Sequence, residues 1–177
     1  MRAFSCLIVL VCFLSSCVHN NSPEEIRDEV SILQDMVLKR EAMLQKQIAT
    51  VMELQMGESD SFINDTSDVL VQQQIDSTRK ALDNFRTGIE QAEDSLDNIP
   101  ELADDKRLME ASREFLSTYK SVADREYDQL IQLIALPDTA FTAEKNKAYL
   151  KTTQQLNERL DQAIKMYNQK VDKWAGK

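Results

Sequence analysis

Residues 71–99, VQQQIDSTRKALDNFRTGIEQAEDSLDNI, carry the clearest pattern in the chain. Val71, Ile75, Thr78, Leu82, Phe85, Ile89, Ala92, Leu96 and Ile99 recur at alternating steps of four and three residues. An α-helix returns a side chain to the same side every 3.6 residues, so this alternation draws one unbroken seam. The positions between are polar or charged, apart from Ala81 and Gly88. The seam lasts about four heptads, and a single apolar stripe of that length is buried only against other helices. Pro100 closes it, because proline cannot continue the hydrogen-bond ladder.

The same period extends to both sides. Upstream, Ser22-Pro23-Glu24-Glu25 has the parts of a helix start: a capping Ser, Pro at the first helical position and Glu three residues after the cap. Ile26, Val30, Leu33, Val37, Leu44, Ile48 and Val51 follow as a stripe that Arg40 interrupts, and Gly57 is a suitable stop. A polar loop with Ser59, Asp60, Asn64 and Asp65 comes next, with Phe62 and Ile63 predicted to tuck against the core. Downstream, a third helix is predicted over about 103–136, with a broader face of Leu108, Phe115, Tyr119, Val122, Leu130, Leu133 and Ile134. Leu136-Pro137-Asp138 ends it, since a residue before Pro resists the α region. Thr142 caps a fourth helix with the face Tyr149, Thr153, Leu156, Leu160, Ala163, Tyr167, Val171 and Trp174.

Helices of roughly thirty residues are about 45–50 Å long. Short connections favour antiparallel neighbours. The predicted fold is therefore all-α: an elongated antiparallel four-helix bundle over residues 23–177. The competing arrangement is two long hairpins that complete their core by dimerising. Composition agrees with a folded helical chain, with only three Gly and three Pro among 177 residues, 42% hydrophobic and 29% charged. So few turn residues argue against a β-sandwich or a disordered tail.

The first sixteen residues read differently. Met1-Arg2 is a short positive start, and Ala3 to Leu14 is almost wholly apolar. Twelve residues fall short of the roughly twenty that span a bilayer, so the stretch reads as the apolar part of a signal peptide. It ends in Leu14-Ser15-Ser16-Cys17, an aliphatic residue, two small residues and Cys. This run resembles the lipobox of bacterial lipoproteins. The resemblance implies cleavage before Cys17, a diacylglycerol on its thiol and an N-acyl chain on its new amine. Each methylene buried in a bilayer contributes about 0.8 kcal/mol, and two or three chains hold a protein far more firmly than one. Residues 1–16 are thus predicted as a lipoprotein signal peptide and 17–22 as the lipidated Cys and a short tether. Cys6 and Cys12 lie in the leader, so the remaining chain has no disulfide framework.

Val18 follows the lipidated position. The resemblance implies sorting to the outer membrane, because an Asp there marks inner-membrane retention in enterobacteria. The acidic run that follows Cys in surface-exported lipoproteins of Bacteroidota is missing, which favours the periplasmic face. Tyr127 to Thr142, with Leu133-Ile134-Ala135-Leu136-Pro137 before Asp138 and then Phe141-Thr142, together with Tyr167, resembles small helical lipoproteins of Bacteroidota. That resemblance covers about a quarter of the chain, implies no activity and transfers no site residue.

Charge is unevenly placed. The whole chain carries −9, and loss of Arg2 with the leader makes it −10. Residues 58–105 hold thirteen acids against Arg79, Lys80 and Arg86, whereas residues 142–177 hold four acids against eight bases. Solvated helix faces explain this most simply. The sharper reading is an acidic second helix facing a basic partner, or facing the basic fourth helix of another copy. Lys165, Lys170, Lys173 and Lys177 are too spread for a strong case for anionic lipid. An exported chain this acidic argues against nucleic-acid binding.

Chemistry finds few footholds. The single histidine, His19, lies in the tether. A Ser-His-Asp triad needs a histidine in the folded part, and no helix carries the Glu-x-x-His pairs of di-metal bundles. No enzyme, metal or cofactor is predicted beyond the acyl chains on Cys17. Met36, Met43, Met52 and Met56 sit on the first helix, as core filler or as an adaptable binding face. Tyr119, Tyr127, Tyr149 and Tyr167 are predicted to place rings in the core and hydroxyls at its edge. Gly88 is predicted to allow a close helix crossing, and Arg40 and Glu126, near apolar stripes, to pair or to snorkel. The functional expectation is a membrane-anchored, non-enzymatic envelope lipoprotein that interacts with a protein partner, self-associates or supports an assembly. The alternative is a ligand-binding or chaperone-like lipoprotein that holds a lipid, peptide or unfolded client between splayed helices.

Overall fold

The first helix begins where its capping residues place it. The Ser22 backbone N–H donates to Glu25 Oε2 at 2.8 Å, and the Glu25 N–H donates to Ser22 Oγ at 3.2 Å. This is the reciprocal capping box. The structure, a computed structural model, describes residues 22–57, 65–100, 106–136 and 142–175. The leader, Cys17, His19, Phe62 and Ile63 lie outside the described residues, as do the side chains of Met56, Lys173 and Trp174.

The described chain is all-α. Helix α1 is Pro23–Gly57, α2 is Asp65–Asn98, α3 is Lys106–Val122, α4 is Asp128–Ile134 and α5 is Ala143–Ala175. A π-helical turn, Ala123–Tyr127, joins α3 to α4 without a break, so these two form one rod. Thr142 caps α5, accepting from the Lys145 N–H at 3.4 Å on its side chain and from Asn146 N–H at 2.9 Å on its carbonyl. No described helix is long and apolar enough to cross a membrane.

The seam of α2 is buried at every position from Ile75 to Ile99, and only Val71 is half-buried. It closes on Ile26, Val30, Val37, Leu44, Ile48 and Val51 of α1. α1 packs chiefly on α2, and α3 on α5. The α3–α4 rod also touches α2 and α1. Along the α1–α2 face, the Gln47 side chain meets Gln74, while Arg40 reaches Asn84 and Gln91. The mid-height of the core is aromatic. Phe85 meets the edges of Tyr119 and Tyr127 at 6.3 and 5.8 Å between ring centroids, and Phe115 stacks on Tyr119 at 4.3 Å.

The α3–α4 rod explains its own broad face. Buried positions run Leu108, Ser112, Phe115, Tyr119, Val122, Ala123, Tyr127, Leu130 and Ile134. Up to Tyr119 they step by four and three, and continued unchanged the series would bring Glu126 inward. The π turn adds one residue to a helical turn and moves the stripe on by one place. Tyr127 then enters the core, and Glu126 turns to the side.

Candidate functional site

Three features near the π turn and along α1 set polar chemistry against the apolar core. The first is a buried carboxyl. The interruption in the α1 stripe is filled by Glu41, not by Arg40: the steps 37, 41, 44, 48 keep the four-three-four rhythm. Glu41 is 8% exposed. Its Oε1 accepts hydrogen bonds from the Tyr127 hydroxyl and from Gln45 Nε2, and the Gln45 amide also donates to the Tyr127 oxygen at 3.1 Å. Burial pushes the Glu41 carboxyl above the usual carboxylate range, against the two hydrogen bonds that favour its charge. Burial, with the nearby Glu41 carboxyl, raises both the Tyr127 and Tyr119 hydroxyls. Tyr119 and Tyr127 are wholly buried, hydroxyls included, which corrects the placement of those hydroxyls at the core edge. Tyr149 and Tyr167 are half-buried.

This cluster lies beside a cleft between α1 and α5. Gln45, Ile48 and Ala49 form one wall, Tyr149, Thr153, Leu156 and Asn157 the other, and Tyr127 and Leu130 the floor. At about 190 Å³ the cleft is smaller than the roughly 300–1,000 Å³ of ordinary small-molecule sites.

The second feature is a charge ladder. Arg159 Nη1 donates to both oxygens of Glu126 at 2.7 Å, and its Nη2 donates to Ser121 Oγ at 2.9 Å. Lys170 pairs with Glu114. On the neighbouring line of the rod, Lys120 meets Glu93 at 2.6 Å, Arg113 meets Asp97 at 3.4 Å, and Asp124 accepts from Arg86 at 2.9 Å. Towards α2 the near-neutral rod thus shows Arg113 and Lys120 to acids and Asp124 to the base Arg86, and towards basic α5 it shows the acids Glu114 and Glu126. The segregated charges of α2 and α5 are met by the rod between them. Exposed pairs of this kind each contribute about 0–1 kcal/mol. Glu126 pairs with Arg159, not with Arg40.

Arg40 has a different task. It lies across Gly88, with Nη1 donating to the Asn84 carbonyl at 2.8 Å and Nη2 to Gln91 Oε1 at 3.0 Å. A Cβ on Gly88 would run into Arg40 Cδ and stand 2.9 Å from its Nε and Nη1. Gly88 thus makes room for a side chain, not for a backbone crossing. Gly88→Ala gains roughly 1 kcal/mol of helix propensity, which losing one or both Arg40 hydrogen bonds offsets at about 0.5–1.5 kcal/mol each. The single substitution is expected to shift stability by less than about 1 kcal/mol; in an Arg40→Ala background it should stabilise by about 0.5–1 kcal/mol. Urea unfolding of the four chains checks this. An equal loss in both backgrounds would show that the α1 backbone itself needs the space.

The third feature is an outward line on α1. Ile32, Met36, Lys39, Met43 and Lys46 step by four and three on the face turned from the core. Ile32 is 67% and Met43 59% exposed, whereas Met36 and Met52 pack partly against the core. Ile32, Asp35, Met36, Lys39 and Arg40 line a shallow groove of about 390 Å³. Arg40, Met43, Lys46 and Gln47 continue it with Ser77, Lys80, Ala81 and Asn84 of α2, at about 380 Å³. The Met residues of α1 are therefore divided between core and surface.

The predicted lipidation residue, Cys17, is outside the described residues. Among those described, no three His, Cys, Asp or Glu side chains group as metal ligands would. Sequence reading passed over Glu41 because Arg40 beside it also fits the stripe to within one residue. The lapse of strict period between Tyr119 and Leu130 was the available signal for the π turn. No family model, curated protein or solved structure matches the chain.

Proposed function

We propose that this chain is a lipid-anchored envelope protein whose helices form an elongated antiparallel bundle and whose role is to engage another protein rather than to catalyse a reaction. The observation that carries the interaction reading is the outward line on α1, where Ile32 and Met43 stand exposed along a groove. Contiguous exposed apolar surface marks interaction sites, and Ile32, Met36 and Met43 line adjoining grooves instead of standing singly. The bundle arrangement is supported by the order of contacts on the α1–α2 face: later α1 positions meet earlier α2 positions.

The anchoring half rests on Leu14-Ser15-Ser16-Cys17 and on the distance that follows it. Only four residues separate Cys17 from the capping box at Ser22, so the helices stand close to the bilayer. The outer membrane, periplasmic face, is the proposed location.

Cys17→Ala is expected to move the protein from the detergent-rich to the aqueous phase in cloud-point partitioning, with loss of acyl mass in the intact-protein spectrum. Partitioning unchanged from wild type would sink the anchor. For the interaction half, crosslinking in intact membranes followed by purification should recover a protein partner, and recovery of none would count against it.

A further inference from the structure

The two grooves, one along α1 and one between α1 and α2, share Arg40. Lys39, Arg40, Lys46 and Lys80, with Asp35 beside Lys39, surround the apolar side chains of Ile32, Met36, Met43 and Ala81. Lys39 pairs with Asp35 at 3.3 Å, and Arg40 is held by Asn84 and Gln91. Lys46 and Lys80 have no ion-pair partner among the described residues, although the chain as a whole carries −9 and offers acids in excess. The acids of α2 point elsewhere: Asp76 to Arg79, Asp83 to Arg86, Glu93 to Lys120 and Asp97 to Arg113. A positive rim around an apolar trough is complementary to a negative, amphipathic rod.

We propose that this groove docks an acidic amphipathic α-helix of another protein. The proposal rests on the interaction reading above and names the partner's chemistry. Ile32 to Gln47 is sixteen residues, about 22 Å from first to last along the helix, which matches a partner segment of about four turns. A guest helix would set apolar side chains, spaced by three and four, against Ile32, Met36 and Met43, and carboxylates beside Lys46 and Lys80. The flexible thioethers let one trough accept different apolar shapes. The rim charges raise the rate of encounter and exclude basic helices.

A second copy of this chain is a poorer guest. Its exposed apolar residues on α5, Leu150, Ile164 and Met166, stand beside Lys147, Lys151 and Lys165, which the rim repels. Val69 and Leu70 on α2 are adjacent in sequence rather than spaced along one face.

The test uses the full-length protein in phosphatidylcholine vesicles and two fluorescent peptides of eighteen residues. Both place Leu at helical three-four spacing; one fills the other positions with Glu and the second with Lys. The Glu peptide is expected to bind at least tenfold more tightly than the Lys peptide, with protein-free vesicles as the blank. Lys46→Glu with Lys80→Glu should cost at least tenfold, as should Ile32→Ser with Met43→Ser, and helical circular dichroism should be unchanged in both. Equal binding of the two peptides, or no binding of the Glu peptide, overturns the proposal. So does self-association that the charge-reversed variant abolishes, or binding to added phosphatidylglycerol vesicles that displaces the Glu peptide. If the peptide fails but crosslinking in membranes still recovers a partner, the groove falls and the interaction reading stands. If both fail, both fall.

Discussion

Phe85→Ala is expected to cost about 3–5 kcal/mol of folding stability, the range for deleting a buried aromatic side chain. For a chain of this size that is a fall in Tm of roughly 10 °C. Phe85 is fully buried, and its ring is the hub on which two tyrosines converge edge-on. The surroundings cannot close the gap easily. Tyr127 is tied at its hydroxyl to Glu41 and Gln45, and Tyr119 is stacked on Phe115. A cavity whose walls are fixed stays open, and the loss then approaches the upper end of the range. Denaturant unfolding followed by circular dichroism measures it, and a loss below about 1 kcal/mol would show that this aromatic layer is loosely packed.

Glu41→Gln is expected to stabilise the protein at neutral and higher pH by about 1–2 kcal/mol, since a buried charge met by two hydrogen bonds but by no cation among the described residues is removed while the acceptor for Tyr127 is kept. The sign of the pH dependence follows from burial. The folded state raises the Glu41 pKa above its ordinary value of 4.5, so it holds the proton more tightly than the unfolded chain does. The stability that Glu41 contributes is therefore fully present below pH 4.5 and is lost as pH rises through the folded pKa. The advantage of the Gln variant should shrink as pH falls through that window and vanish near its lower end. The readout is the stability difference between the two chains at each pH, which removes the effect of the many surface acids. A Gln variant less stable than wild type at pH 8, or a difference independent of pH, would overturn this account.

What the sequence made legible follows from period and capping. The α2 seam, the caps at Ser22 and Thr142, and the helix ends at Gly57 and before Pro137 depend on local rules, and those rules hold. Three things depended on tertiary context. Arg40 and Glu41 differ by one place on the stripe, and Gly88 on the facing helix gives Arg40 the room to lie beside it. The π turn leaves no residue signature; it shows only as a slip of phase between Tyr119 and Leu130. The pairing of acidic α2 and basic α5 through α3 was hidden because net charge conceals how it is arranged. α3 is near neutral in sum, yet Arg113 and Lys120 lie on one line of it and Glu114 and Glu126 on the next. The groove was visible only in part, as methionines whose side could not be assigned before Met43 was seen standing outside.

The extra residue in the Ala123–Tyr127 turn also sets what changes the chain tolerates. Straightening the turn into an ordinary helix with all its residues kept would rotate everything after it by about 100°. Leu130 and Ile134 would swing out of the core, and Glu126, shorn of Arg159, would turn inward. Removing one residue instead restores an ordinary helix and keeps Tyr127, Leu130 and Ile134 in phase with Tyr119. The turn is thus where this rod absorbs an extra residue, and a one-residue deletion within Ala123–Tyr127 is the change of length it tolerates best.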